Sequence, residues 1–111
     1  MDDIEGGHLQ ELRRGTVVLA CLLILRKPDY GYALLERLAA AGIATDGNTL
    51  YPLLRRLEKQ ELVTSEWNTD EARPRKFYRT GAAGDALAGR LLQDWSDLTR
   101  ALTDIDKGAN P

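Results

Sequence analysis

From Asn48 to Trp67 the chain reads NTLYPLLRRLEKQELVTSEW, a helix followed without a break by a strand. Leu50, Leu53, Leu54 and Leu57 fall at i, i+3, i+4 and i+7, one apolar face of a 3.6-residue period. The opposite face carries Tyr51, Pro52, Arg55, Arg56 and Lys59. One side of this helix needs a core; the other is cationic, with an aromatic near its N-terminal end. Leu62 to Trp67 then changes to strand-like composition. Few arrangements satisfy a helix of this kind running straight into a strand, and a module that lays a helix against nucleic acid is one of them.

The chain has 111 residues, enough for one domain with a small core. Its net charge of -2 argues against nucleic-acid binding if taken alone. The distribution argues otherwise. Between Tyr51 and Thr80 the bases Arg55, Arg56, Lys59, Arg73, Arg75, Lys76 and Arg79 outnumber the acids, and after Thr80 Asp85, Asp94, Asp97, Asp104 and Asp106 reverse the balance. Screening limits the reach of distant charge to about 8 Å at physiological salt, so a basic middle can bind phosphate on an acidic protein. The single cysteine, Cys21, lies in an apolar run, which rules out an intrachain disulfide and fits a cytoplasmic protein. The apolar run from Val17 to Leu25 is too short to span a bilayer, and Arg26 and Lys27 stand where a signal peptidase would need small residues, so neither a membrane partner nor a signal peptide is expected.

In chain order, residues 1–7 are polar and glycine-containing and read as a frayed start. Leu9 to Arg26 is the first expected helix. Leu9, Leu12, Thr16, Leu19 and Leu23 form one stripe and Val18, Leu22 and Leu25 a second, so its C-terminal half should be buried. Pro28 ends it. Asp29 is placed as the N-cap of a second helix from Tyr30 to about Ala41, with Tyr32, Leu35, Leu38 and Ala39 on its inner face, Leu34 beside it, and Gly42 as a left-handed C-cap. Asp46 or Asn48 caps the third helix, and Pro52 is expected near its first turn. Asn68 to Pro74 is a turn, and Arg75 to Thr80 a second strand with Phe77 and Tyr78 on opposite faces. Three helices, the third running into a charged hairpin, describe a winged helix-turn-helix: a mainly α fold with a small β-hairpin.

The last helix, Gly81 to about Lys107, carries Leu87, Leu91, Trp95, Leu98, Leu102 and Ile105 at steps of 4, 4, 3, 4 and 3, a heptad seam. Within its own chain that seam has only the first helix to meet. A homodimer built from Leu9, Leu12 and these six seam residues is the economical solution. Residues 1–80 then form the DNA-binding part and 81–111 the dimerisation helix of a single compact unit.

Three stretches carry a resemblance: GTVVLACLLILRKPDYGYALLERL, NTLYPLLRRLEKQELVTSEW and ARPRKFYRT. The chain resembles the PadR-like transcriptional regulators, in the short form with one C-terminal helix, over Leu9 to about Leu102. The resemblance implies a dimeric winged-helix repressor of its own or a neighbouring promoter, bound to a short palindromic operator in double-stranded DNA. It also implies, for many members, release of DNA by a small molecule. Three positions depart from the family pattern. Glu61 stands where glycine usually ends the third helix, Ala72 where a wing glycine is common, and Thr80-Gly81 where an apolar-threonine pair precedes the last helix. A positive φ at Glu61 would cost on the order of 1 kcal/mol.

The expected DNA face is Asn48, Thr49 and Tyr51 at the base-reading end of the third helix, Arg55, Arg56 and Lys59 along it, and Arg73, Arg75 and Lys76 on the wing. Plainer roles compete. Tyr51 could lean on the second helix, one of Arg55 and Arg56 could pair with Glu58 or Glu36, and the wing cations could be an ordinary charged hairpin tip. Trp95 is the candidate effector residue, with Leu91, Leu92 and Thr99 beside it. A tryptophan pair across a dimer axis would stack on a flat aromatic or cationic compound, or would simply fill the dimer core. Trp67 is expected to pack within the core or hairpin. One histidine, His8, and one buried cysteine offer no catalytic or metal-ligating constellation, and no cofactor is implied. The rival readings are a dimeric protein-protein adaptor and a small-molecule sensor with little DNA affinity.

Overall fold

The computed structural model describes residues 2–70 and 72–108. Met1, Glu71 within the expected wing turn, and 109–111 of the expected C-terminal segment lie outside them. Seven elements follow in order: α1 (Asp2–Ile24), β1 (Asp29–Tyr30), α2 (Gly31–Ala40), α3 (Gly47–Lys59), β2 (Val63–Asn68), β3 (Arg75–Thr80) and α4 (Ala82–Asp106). The shape is elongated, 60 × 35 × 22 Å, because α4 and the first half of α1 project from the core. Among the described residues no helix is long and apolar enough to cross a membrane.

The core is a leucine cluster where three helices converge. Leu22 of α1, Leu25 after it, Leu34 and Leu38 of α2, and Leu50, Leu54 and Leu57 of α3 are all fully or almost fully buried, and Val63 of β2 closes one side. At about 25 cal/mol per Å² of apolar surface removed from water, this cluster is the main stabilising term. Cys21 is fully buried within it, and burial pushes its thiol up to about 12, leaving it a neutral apolar group.

Several expectations are corrected. The frayed start is helical from Asp2, with Asp2, Asp3 and Glu5 in the first turn, where carboxylates favour the helix dipole. At its other end α1 stops at Ile24 rather than Arg26, and Arg26 and Lys27 close short i→i−3 turns. Asp29 does not cap α2. It lies in a two-residue strand that pairs with β3, Asp29 against Tyr78 and Tyr30 against Phe77, so the wing is a three-stranded sheet in the order β1-β3-β2. The Asp29 carboxylate accepts the Tyr30 N–H at 2.9 Å and a bond from Arg37 at 3.2 Å. The inner face of α2 is Gly31, Leu34 and Leu38, while Tyr32 and Ala39 are exposed and Leu35 is half-buried. Pro52 sits in the second turn of α3, where its missing N–H leaves the Asn48 carbonyl without an i+4 donor.

The helix ends follow local chemistry. Gly42, at φ 86°, closes α2, with the Ile43 N–H donating back to Leu38 and the Gly42 N–H to Ala39. The end of α3 has the same bond pattern, Leu62 to Leu57 and Glu61 to Glu58, but Glu61 occupies the left-handed position at φ 62°. Asp46 caps α3, its carboxylate accepting the Thr49 N–H at 2.8 Å. No side chain caps α4. Thr80 is used elsewhere: its hydroxyl donates to the Leu22 carbonyl at 2.7 Å and its N–H to Leu25 at 2.8 Å, fixing β3 to the end of α1.

Candidate nucleic-acid interface

With Leu50, Leu53, Leu54 and Leu57 in the core, the outer face of α3 is set by the same period. Asn48, Thr49, Pro52, Arg55, Arg56 and Lys59 are all exposed along it. Among the described residues neither arginine forms an ion pair within 4 Å, so the surface pairing weighed for them is absent. Tyr51 is half-buried. A Cβ at Gly31 would lie 2.6 Å from its ring, so only glycine at the start of α2 leaves room for it. The ring thus wedges α3 against α2.

The wing is joined to α3 through one carboxylate. Glu58 accepts from the Ser65 hydroxyl on β2 and lies 3.4 Å from the Lys76 ammonium on β3. With Arg55, Arg56, Lys59 and Lys76 it lines an open surface groove, four cations around one acid. Tyr78 lies under this network, and burial, followed by the Glu58 charge, raises its phenol above the usual range.

The wing cations are not equivalent. Arg73 is exposed in the loop. Lys76 shares its charge with Glu58 and lies 5.6 Å from the Tyr78 ring centroid. Arg75 packs on the other sheet face, its guanidinium 4.6 Å from the Tyr30 centroid and 5.5 Å from that of Tyr32, and donates to the Tyr32 hydroxyl. Tyr30 stacks on Tyr32, meets Phe77 edge-on and accepts from Asn68 at 2.6 Å. No local pattern marks this cluster, because its members come from β1, α2 and both hairpin strands. Trp67, expected to be packed, is 63% exposed near the tip of β2.

On the far side of the molecule α4 contributes Ala88 to the core, with Leu87 and Leu91 packed against it. Beyond them the seam is bare: Trp95, Leu98, Leu102 and Ile105 are 53–61% exposed, and Leu9 and Leu12 of α1 are exposed as well. Between α1 and α4 runs a groove of about 620 Å³ lined by Leu12, Thr16, Leu19, Leu91, Trp95, Leu98, Thr99 and Leu102, with one base, Arg13, and one acid, Asp94, also in its lining. Leu91, Trp95 and Thr99 are brought together there. Leu92 is not among the lining residues. The Thr99 hydroxyl donates to the Trp95 carbonyl at 2.9 Å. Among the described residues no three His, Cys, Asp or Glu side chains gather to hold a metal ion.

Known proteins match this arrangement. The profile of the transcriptional regulator PadR-like family matches residues 18–90. A transcriptional regulator of Mycobacterium tuberculosis is 39% identical over 93 residues, 83% of this chain and 87% of the relative. The crystal structure of a PadR family transcriptional regulator from Eggerthella lenta superposes with a TM-score of 0.90 at 45% identity, covering 94% of this chain and 93% of that one. A PadR-like transcription factor from Bacteroides fragilis gives 0.73 at 30% identity, covering 89% and 98%. The protein belongs to the PadR-like family of transcriptional regulators and is a DNA-binding regulator of transcription.

Proposed function

We propose that the chain acts in the cytoplasm as a homodimeric repressor of its own or a neighbouring promoter, each protomer placing α3 in the major groove of one half of a palindromic operator. The observation that carries this reading is the division of α3 into a buried leucine face and an exposed face whose arginines form no ion pair within 4 Å among the described residues. Asn48 and Thr49 read base edges at the helix start. Tyr51 sets the angle of entry and offers its ring edge to the groove. Arg55, Arg56 and Lys59 meet phosphate or guanine. Arg73 reaches the adjacent backbone, Lys76 divides its charge between Glu58 and phosphate, and Arg75 braces the wing from behind while adding positive potential.

Leu9, Leu12, Leu87, Leu91, Trp95, Leu98, Leu102 and Ile105 form the contact between protomers. A flat aromatic or cationic compound enters at Trp95, beside Leu91 and Thr99 and close to Leu92, and shifts the dimer to a form that releases DNA. Quenching of Trp95 emission by a planar cationic dye, lost in Trp95→Ala, tests the effector step.

The DNA reading is tested by titrating the protein against its own upstream promoter at two salt concentrations, with Arg56→Ala alongside. Binding should weaken with salt, and the substitution should cost about tenfold and lower the salt slope by about one. An Arg56→Ala protein that binds as tightly as the parent would overturn the placement of α3, and absence of binding at either salt would favour an adaptor.

A further inference from the structure

We propose that Trp67 is a DNA-contacting residue of the wing, its indole lying against the sugar edge of the groove beside the one α3 enters, an inference that rests on reading α3 and the wing as the DNA face. Its direction follows from register. Trp67 is the cross-strand partner of Lys76, and partners in an antiparallel pair project from the same sheet face. The Lys76 ammonium reaches Glu58 of α3, and Ser65, two residues before Trp67 and on the same face, donates to that carboxylate. The face that holds Trp67 is therefore the one turned toward α3.

Along that face β2 passes from core to open surface. Val63 is 1% exposed, Ser65 is half-buried against Glu58, and Trp67 stands 63% exposed at the outer end. A single exposed apolar residue means little by itself. The surroundings of this one decide its occupant. On the same face lies the groove lined by Arg55, Arg56, Lys59 and Lys76 around the single acid Glu58, and exposed Arg73 follows in the loop. A protein partner docking on Trp67 would have to desolvate that cationic rim, whereas DNA brings its own phosphates to it. The indole N–H is a donor only, and phosphates and the A·T edges of the minor groove offer acceptors. The indole face suits the apolar deoxyribose. The other sheet face makes the contrast: Tyr30, Tyr32 and Phe77 pair with one another, while among the described residues Trp67 has no ring partner.

The chain has two tryptophans, so Trp95→Phe leaves Trp67 as the only indole emitter. Titrating that variant with mixed-sequence duplex DNA at low salt should shift and quench the emission in step with binding, and should protect the indole from acrylamide. In the parent background Trp67→Ala should lower DNA affinity about tenfold, the scale of one lost aromatic contact, and Trp67→Phe by less. Because the contact is uncharged, the slope of affinity against salt should stay as in the parent, whereas Arg73→Ala should lower it by about one. Emission and acrylamide access unchanged at saturating DNA, or a Trp67→Ala protein that binds like the parent, would overturn the assignment. If Arg56→Ala weakens binding while Trp67 stays silent, the assignment fails and the α3 reading stands; if the parent binds no duplex DNA at low salt, both fail.

Discussion

The two helices that carry the chain's chemistry treat their apolar faces in opposite ways. In α3 every leucine of the stripe is buried within the chain, and what remains outside is polar and cationic. In α4 the stripe is covered only at its start, by Leu87, Ala88 and Leu91, and then runs bare from Trp95 to Ile105. Both are amphipathic helices of one small protein, and the local pattern alone does not separate them. What separates them is the supply of partners: α2 and β2 pack against α3 and its leucines join those of α1 in one core, whereas α4 beyond Leu91 has only α1 to lie beside. A helix finished by its own chain offers its polar face outward, which on the proposed function is the face given to DNA. A helix left unfinished offers its apolar face, and a second copy of the same helix is the complement nearest to hand.

The sharpest way to break this comparison is to charge the bare seam. Leu98→Asp with Leu102→Asp should leave each chain folded by far-UV circular dichroism, because both side chains already face solvent. Sedimentation should find a monomer in place of a dimer, and operator affinity should fall by about 10²–10⁴, the scale of losing a tethered second site. Unfolding of the chain would mean that the seam is part of the monomer's own core. The matching change in α3 is Leu54→Ala. Leu54 is fully buried, so the substitution should cost about 2–5 kcal/mol in denaturant unfolding while the folded fraction binds DNA normally.

This difference between faces also marks how far the sequence could be read. The leucine periods gave α3 and α4, and strand-like composition on either side of a turn gave β2 and β3, each nearly to the residue, and the bases on α3 gave its outer face, because these signals are local. Three features were hidden because their causes are distant in sequence. β1 is two residues long, too short for any period, and exists because Asp29 and Tyr30 find Tyr78 and Phe77. The same pairing moved the start of α2 to Gly31 and turned Tyr32 outward. Arg75 read as a free wing cation, but Tyr30 and Tyr32 reach it across some forty residues. Trp67 has strand-forming character whether or not anything covers it, so composition could not say that its end of the sheet stays open. The glycines at 6 and 7 suggested fraying, yet the acidic first turn and the helix behind it carry α1 through them.

A smaller effect sharpens the comparison at the reading end. Asp46 holds the first turn of α3 by accepting the Thr49 N–H. Asp46→Ala should cost about 1 kcal/mol, seen as a lower unfolding midpoint, and Asp46→Asn only a few tenths, because the amide oxygen can still cap. Should Asn prove as damaging as Ala, the carboxylate charge rather than the hydrogen bond would be holding the turn.

The smallest expected effect lies at the other end of α3 and has the opposite sign. Glu61 holds φ 62° so that Leu62 can donate to Leu57 and the chain can turn into β2. For a residue with a Cβ that conformation costs roughly 1–2 kcal/mol, and glycine would remove the strain. Glycine would also give the unfolded chain more freedom, which takes back about 0.4–1 kcal/mol. Glu61→Gly should therefore stabilise the protein by about 0.5–1 kcal/mol, a rise in melting temperature of a few degrees at fixed protein concentration. Dimer mass and DNA affinity should not change, since Glu61 is exposed and belongs to neither face. A stabilised protein with weakened DNA binding would mean that the strained turn sets the angle between α3 and the wing, and that the two faces are less independent than their burial implies.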